Sequence, residues 1–431
     1  MSAGAVDRGD SSRRYHRGVV DPFLPDVEKL AAVRAALPAL GAGIYLNTGS
    51  VGPLPAETAA AMAEITEYEL GIGRSHPDYF AGFLERLDEA RGAVAAIVGA
   101  DIDEIAITHS VSVAMNAAIG SVVLAPGDRI VTTRSEHAAA LGPVHAAAER
   151  SGADATFVDL DGALTDDEIL ERFDAAIDPA TRVVAFSHVL WTTGRVLPVA
   201  RIGALARERG AVVVVDGAQA AGAIPVNVRD LAADFYALPG QKWLLGPEAT
   251  AALWVAPAIV ARSQPSLVSW FNYESIGPDG GTYWSDARRF DGTQFHKASI
   301  TGLARSCGWL SMYVGLPWIH ERGQAMARRA ADRLAGITGV EVLTPLERMA
   351  TLVTFRIAGW TPDEALAELN GRIFAIARTV PVVDALRLSI GFFTTTDEIE
   401  RVAATVELLA AHDPATLPPR ARLTILGQGP R

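Results

Sequence analysis

Apolar and polar positions follow two different periods along this chain. Through its middle, short runs of branched aliphatic residues recur between longer segments of helical periodicity. Ala211–Val212–Val213–Val214–Val215 is apolar at every position, the pattern of a central strand covered on both faces. The runs predict strands at Glu104–Thr108, Arg129–Thr133, Ala155–Val158, Val183–Ser187, Ala211–Asp216, Asp234–Leu238 and Thr250–Val255. Helical segments at Val113–Val123, Ala138–Ser151 and Val199–Arg209 separate most of them. Strand–helix alternation at this spacing predicts an α/β fold with a mainly parallel, doubly wound sheet. Some strands adjoin without a helix, so an antiparallel member is expected.

The pattern changes near Pro317. A long amphipathic helix, Trp318 to Ala335, precedes short strands at Val340–Leu343, Ala350–Ile357, Ile373–Ala377 and Leu386–Ile390. A closing helix runs from Thr396 to Ala411, with Asp397 and Glu398 in its first turn, where acids suit the helix dipole. The expected organisation is a flexible leader at 1–20, a segment at 21–45 joining the small domain, a large domain at 46–315, a smaller α+β domain at 316–412 and a surface tail at 413–431.

Composition narrows the possibilities. A length of 431 residues calls for two domains. The 38 basic and 50 acidic side chains leave a net charge of −12, which disfavours nonspecific binding to nucleic acid or anionic membrane. A single cysteine, Cys307, excludes an internal disulfide framework and a cysteine-based zinc site, and no metal is expected. It falls in the helix-like run Gly302 to Val314 and reads as a small buried hydrophobe. No run of 18 apolar residues occurs, and the first 20 residues lack the apolar core of a signal peptide, so a cytoplasmic location is expected.

The candidate chemistry gathers at the carboxyl ends of the predicted strands, where open α/β sheets bind ligands. Asp216 emerges from the valine run, and Lys242 follows 26 residues later in a turn after Gly240, which allows close backbone approach. A carboxylate with a lysine opposite it is what pyridoxal 5'-phosphate (PLP) requires: the lysine forms the Schiff base and the acid keeps the pyridine nitrogen protonated. Each residue alone has an ordinary reading, Asp216 as a helix cap and Lys242 as a solvated turn residue. Ser110–Val111–Ser112 opens a helix directly after the first strand, a place for a cap, a phosphate, or both. Glu136–His137 ends the second strand, where the imidazole could lie on a cofactor ring or cap a helix. Trp191 or Thr192, after the fourth strand, would stand near a ring hydroxyl. The convergence of these sites on one crevice makes the case, more than any one residue.

The stretches from Tyr45–Leu46–Asn47–Thr48–Gly49 to Arg387–Leu388–Ser389–Ile390–Gly391–Phe392–Phe393 resemble class V of the fold-type I PLP enzymes. That family holds the cysteine desulfurases, cysteine/cystine C–S lyases and isopenicillin N epimerase-like proteins. Asp234–Phe235–Tyr236–Ala237–Leu238–Pro239–Gly240–Gln241–Lys242–Trp243 is similar to the family's lysine motif. The resemblance implies that Lys242 carries the cofactor, Asp216 pairs with the pyridine nitrogen and His137 stacks on the ring. It puts Ala218 and Gln219 beside the ring, with Gln219 near its hydroxyl, and Ser110, Val111, Ser112 and Gln241 at the phosphate. Arg387, with Arg378 and Asn47 nearby, would hold the substrate carboxylate, where a bidentate fork suits the geometry. Thr293 matches a position that reaches the phosphate from a partner subunit, which implies a homodimer with shared active sites.

Three departures stand out. Pro239 replaces a usual serine or threonine at the phosphate. Trp191–Thr192 replaces an asparagine near the ring hydroxyl. Ile376 to Val383 lacks the mobile cysteine that a desulfurase carries shortly before its substrate arginine. A persulfide mechanism needs a thiolate there.

The expected activity is therefore a PLP-dependent C–S β-lyase that converts cysteine or a cysteine S-conjugate to a thiol, pyruvate and ammonia, with natural-product biosynthesis as one setting. An aminotransferase, an epimerase and a decarboxylating deaminase use the same residues. A non-catalytic binding protein on this fold would not need Lys242 and Asp216. An NAD-dependent enzyme would need a G-x-G-x-x-G after the first strand, which is absent. Trp270, Phe271, Tyr273 and Tyr283–Trp284 read either as an aromatic pocket wall or as interface packing.

Overall fold

The computed structural model describes residues 26–162 and 165–420; the leader predicted at 1–20 and most of the predicted tail lie outside them. Seven strands form the principal sheet: β1 (Ile105–Thr108), β2 (Arg129–Thr133), β3 (Asp154–Val158), β4 (Thr181–Ser187), β5 (Val212–Asp216), β6 (Phe235–Pro239) and β7 (Ala251–Val255). Their order is β1-β7-β6-β5-β4-β2-β3. All neighbouring pairs are parallel except those of β7, which runs antiparallel to both β1 and β6. The expected antiparallel member is thus β7. It follows β6 through a short irregular link, too short for the crossover a parallel strand needs.

Every residue of β5, β6 and β7 is buried. Valine favours such a strand because its branched side chain packs well on a pleated surface with neighbours on both faces. Helices Val111–Gly120, Ala138–Ser151, Asp166–Ala176 and Val199–Glu208 cover the sheet. Two further helices, Ala56–Ile72 and Pro77–Val98, pack against a helix at Lys297–Gly308, and none of the three has its span marked out by the predicted elements.

A four-stranded antiparallel sheet holds the second hydrophobic cluster. Its strands are β10 (Val340–Val342), β11 (Leu352–Ile357), β12 (Arg378–Val380) and β13 (Ala385–Ser389), in the order β10-β11-β13-β12. They follow an exposed hairpin of β8 (Tyr273–Gly277) and β9 (Gly280–Tyr283). Helices Leu316–Ala335, Pro362–Ile373 and Thr396–Ala410 back the small sheet. The predicted strand at Ile373–Ala377 is corrected: Ile373 ends a helix that Thr361 and Glu364 open with a reciprocal capping box. Phe374 then turns the chain with φ 55°, and only Ala375–Ile376 is extended, pairing with Ile44–Tyr45. That pairing ties the chain's early segment to the small sheet, and a bridge from Asn47 to Ser389 continues it. A third apolar cluster, including Val189, Trp243, Ala350 and Leu352, lies where the two sheets meet.

Candidate active site

The carboxyl ends of β2, β4, β5 and β6 open onto a cavity of about 250 Å³. Ser187 and Asp216 are register partners at the ends of β4 and β5, and Asp216 is also opposite Ala237 of β6. The cavity wall includes Ser110, Val111, Ser112, His137, Trp191, Asp216, Ala218, Gln219, Gln241, Lys242, Arg378 and Arg387. Residues spread over almost 280 positions of sequence thus meet in one crevice.

Glycines set the lysine turn. A Cβ at Gly240 would fall 2.1 Å from Thr250 Oγ1, so the backbone passes where no other residue fits. A Cβ at Gly52 would fall 2.3 Å from the Lys242 carbonyl oxygen, and the Gly52 N–H donates to the Gln241 carbonyl at 2.7 Å. The Gly49–Gly52 segment therefore seats directly on the lysine loop.

Lys242 keeps some access through the cavity it lines, yet burial lowers its ammonium to about 8. Asp216 opposes that shift, and the Arg387 and Arg378 guanidiniums reinforce it. The Asp216 carboxyl is pushed above its ordinary range by burial, while Lys242 and the Ala218 N–H favour its anion. The Ala218 amide donates to Oδ1 at 2.8 Å. Each of the two groups thus favours the other's charged form, against the burial that disfavours both charges.

His137 caps the helix Ala138–Ser151: its Nδ1 accepts from the Ala139 N–H at 3.1 Å. That bond leaves the imidazole proton on Nε2. Burial, then Lys242, Arg378 and Arg387, lower its pKa to about 4, so the ring is neutral at physiological pH. The Trp191 ring meets it edge to face at 5.2 Å.

Arg387 is fully enclosed, and burial with the nearby Arg378 brings its guanidinium to about 9. Its Nη1 donates to the Trp191 carbonyl at 2.8 Å, while Nε and Nη2 have no partner among the described residues. A fully buried guanidinium with two idle donors is costly unless an anion arrives to take them. The indole Nε1 of Trp191 is likewise buried without a partner among the described residues. Ser110 caps the helix Val111–Gly120 by accepting from the Val113 N–H, which leaves the amides of Val111 and Ser112 for a ligand.

Several neighbours carry weight that the sequence did not announce. Glu136, kept there only as the residue before His137, is 3% exposed. It accepts from Thr133 Oγ1 at 2.7 Å, from the Ser187 N–H at 3.1 Å, and pairs with the Ser187 hydroxyl. Burial raises it to about 7 against those hydrogen bonds, and Asp216 adds to the rise. Behind Asp216, His188 Nδ1 and the Tyr236 hydroxyl are 3.0 Å apart. A conspicuous acid at a strand end was the available signal for Glu136; the others needed the register.

Thr192, Asn47 and Thr293 are not on the cavity wall of this chain. Thr192 is buried, and its carbonyl accepts from Thr354 Oγ1 at 2.7 Å. Asn47 accepts from the Ser50 hydroxyl at 2.8 Å and so shapes the turn behind the wall. Thr293 is exposed, two residues beyond Asp291, which accepts from the Ile107 amide and pairs with Arg91. The aromatic segment stands apart from the cavity: Trp270 stacks on Phe271 at 3.8 Å, and Tyr273 stacks on Tyr283 at 4.4 Å in the hairpin. Among the described residues no metal-binding cluster occurs, and no helix is long and apolar enough to cross a membrane.

The donor set fits PLP. A helix N-terminus can take a phosphate, a buried acid can take a pyridinium, and a lysine of lowered pKa can take an aldehyde. Residues 44–402 match the aminotransferase class-V family. The chain is 32% identical to the isopenicillin N epimerase of Streptomyces clavuligerus, over 85% of this chain and 94% of that protein. It is 28% identical to a probable cysteine desulfurase of Methanothermobacter thermautotrophicus, over 88% of this chain and 97% of that protein. Among solved structures it resembles the cystine C–S lyase C-DES in complex with cysteine persulfide, with a TM-score of 0.80 and 25% identity, covering 86% of this chain and 99% of that one. The chain therefore belongs to the aminotransferase class V family and is a fold-type I enzyme that works with pyridoxal 5'-phosphate.

Proposed function

We propose that this enzyme is a carbon–sulfur β-lyase, which converts L-cysteine or a cysteine S-conjugate and water to a thiol, pyruvate and ammonia. The observation that carries this reading is the contrast between two nucleophiles. Lys242 faces the cavity with an amine near 8, whereas Cys307, the one cysteine, is fully buried and its thiol is pushed up to about 12. A desulfurase passes sulfur to a protein thiolate, and none can form here at working pH.

Bound PLP would draw electrons from the substrate Cα, making its proton acidic and the β-sulfur a leaving group. Val111, Ser112 and the Ser110 cap would hold the phosphate, with Gln241 beside it. Asp216 would hold the proton on the pyridine nitrogen, and neutral His137 would rest against the ring without adding charge. Ala218 and Gln219 would border the ring. Arg387 would grip the substrate carboxylate with its free Nε and Nη2, fixing Cα beside Lys242. The Lys242 amine, once released by the incoming substrate, would take the Cα proton and return it to the departing sulfur.

Thr293, exposed on this chain, would complete a second protomer's phosphate site in a homodimer. A second reading is an epimerase, favoured by the 32% identity to isopenicillin N epimerase. Purified holoenzyme with S-alkyl-L-cysteine separates the alternatives. A lyase yields thiol and pyruvate in equal amounts, without a 2-oxoacid acceptor and without carbon dioxide. Free thiol lacking pyruvate, carbon dioxide lacking thiol, or conversion to the D-isomer alone would overturn the reading.

A further inference from the structure

Glu136 is buried beside the catalytic cavity but is not on its wall. It follows the end of β2, while Ser187 ends β4 and does line the cavity. Ser187 is also the register partner of Asp216 at the end of β5. With β4 lying between β2 and β5, one serine stands between two buried acids, on strands spaced ~5 Å apart.

The two oxygens of Glu136 are bonded unequally. Oε1 takes two donors, the Thr133 hydroxyl at 2.7 Å and the Ser187 amide at 3.1 Å. The Thr133 oxygen itself accepts from the Ser135 N–H at 3.3 Å, so its proton is directed to Glu136. Among the described residues Oε2 meets the Ser187 hydroxyl alone. A carbonyl oxygen with two donors and a second oxygen with one partner is the pattern of a carboxylic acid. Charge points the same way. Asp216 has the Lys242 amine and the Ala218 N–H to favour its anion. Glu136 has no cation to pair with among the described residues, and Asp216 adds to the burial that lifts its carboxyl to about 7. The groups around it supply no compensating charge. His137 and His188 are neutral, each brought to about 4 chiefly by burial. Tyr236 keeps its proton, raised well above its ordinary range by burial and then by Asp216. Arg134 turns away over the Phe157 ring. Two neighbouring acids out of water do not both ionise, and the one without a cation keeps the proton.

We propose that Glu136 is a positioning residue that holds a proton: as a neutral acid it donates to the Ser187 oxygen, turns the Ser187 proton into the cavity as a hydrogen-bond donor, and leaves Asp216 the single negative charge beside it. The arrangement serves a lyase and an epimerase alike. It is present below about pH 7 and lost as pH rises through that value. Glu136 then becomes an anion, Ser187 turns its proton back, and a second negative charge appears next to Asp216.

Glu136→Gln tests this, because the amide copies the neutral acid: its oxygen accepts where Oε1 does and its nitrogen donates to Ser187 Oγ. The variant should bind PLP within about twofold of the unmodified enzyme by equilibrium dialysis, whereas Ser187→Ala should bind it about tenfold more weakly, the loss of one hydrogen bond. The visible spectrum of the unmodified holoenzyme should show a step near pH 7 that Glu136→Gln lacks. Infrared difference spectra should show a protonated-carboxyl band at about pH 6 that is gone by about pH 9 and missing from Glu136→Gln. Tenfold weaker PLP binding by Glu136→Gln overturns the proposal, since an anion is then required. So does a spectral step that persists in that variant, or undiminished PLP binding by Ser187→Ala. If Glu136→Gln fails to fold, absence of the infrared band from the unmodified enzyme at about pH 6 overturns the proposal by itself.

Discussion

The indole Nε1–H of Trp243 donates to Oε1 of Gln219 at 3.0 Å, which fixes the glutamine amide so that Nε2 donates to the Gly49 carbonyl at 2.9 Å. The residue after the lysine thus orients a wall residue and, through it, the glycine segment that covers the lysine loop. Replacing Trp243 with Phe leaves Oε1 buried and unpaired. Stability should fall by about 1–3 kcal/mol, read as the shift of the denaturant midpoint. An unchanged midpoint would mean that the amide finds another donor.

The pH profile should report Lys242. Its amine must be neutral to accept the Cα proton, and a base with a pKa near 8 is mostly protonated below that value. The turnover number should therefore climb with pH and level off above about 8. Arg378 is one of the cations that keep the ammonium acidic, so Arg378→Gln should move the limb to higher pH. Steady-state rates with a saturating conjugate, measured between about pH 6 and 10, decide this. A limb that stays in place or moves down excludes Lys242 as the group that titrates.

Cys307 should be dispensable for chemistry. Cys307→Ala should keep the wild-type rate of thiol release and lose about 1 kcal/mol of stability, the usual effect of trimming a packed core. Thiol-directed reagents should leave the folded enzyme active, because the thiol is sealed and far above its ordinary pKa. Loss of activity with retained folding would restore a thiolate mechanism.

Much of the large sheet was legible because its strands are apolar at nearly every position. The valines of β5 could only be a buried strand, and Asp216 is the first side chain after them able to reach a ligand. The helix at Pro362–Ile373 was missed although Thr361 and Glu364 spell a capping box; the apolar Ile373–Ala377 outweighed it, a local reading that ignored the cap. The facing of Arg378 and Arg387 was not legible, since it depends on the register of two short strands joined by a turn at Pro381–Asp384. The same limit applies to Glu136. Its sequence neighbour His137 drew attention, but its three hydrogen bonds come from Thr133 and from Ser187, 51 residues away. Side chains that act at the end of their own strand could be found by pattern, whereas those defined by a neighbour's strand could not.

The short pairing of Ile44–Tyr45 with Ala375–Ile376, continued by the Asn47–Ser389 bridge, yokes the strip bearing Gly49 and Ser50 to the sheet that bears both arginines. Asp216 ends a strand of the other sheet, and Lys242 and His137 follow the ends of two more of its strands. The crevice thus has a fixed floor for the ring and a single-piece jaw for the acid group. Any tilt of that jaw would loosen every grip on the amino acid together while the coenzyme stayed seated, which suits a catalyst that must discharge products and keep its coenzyme.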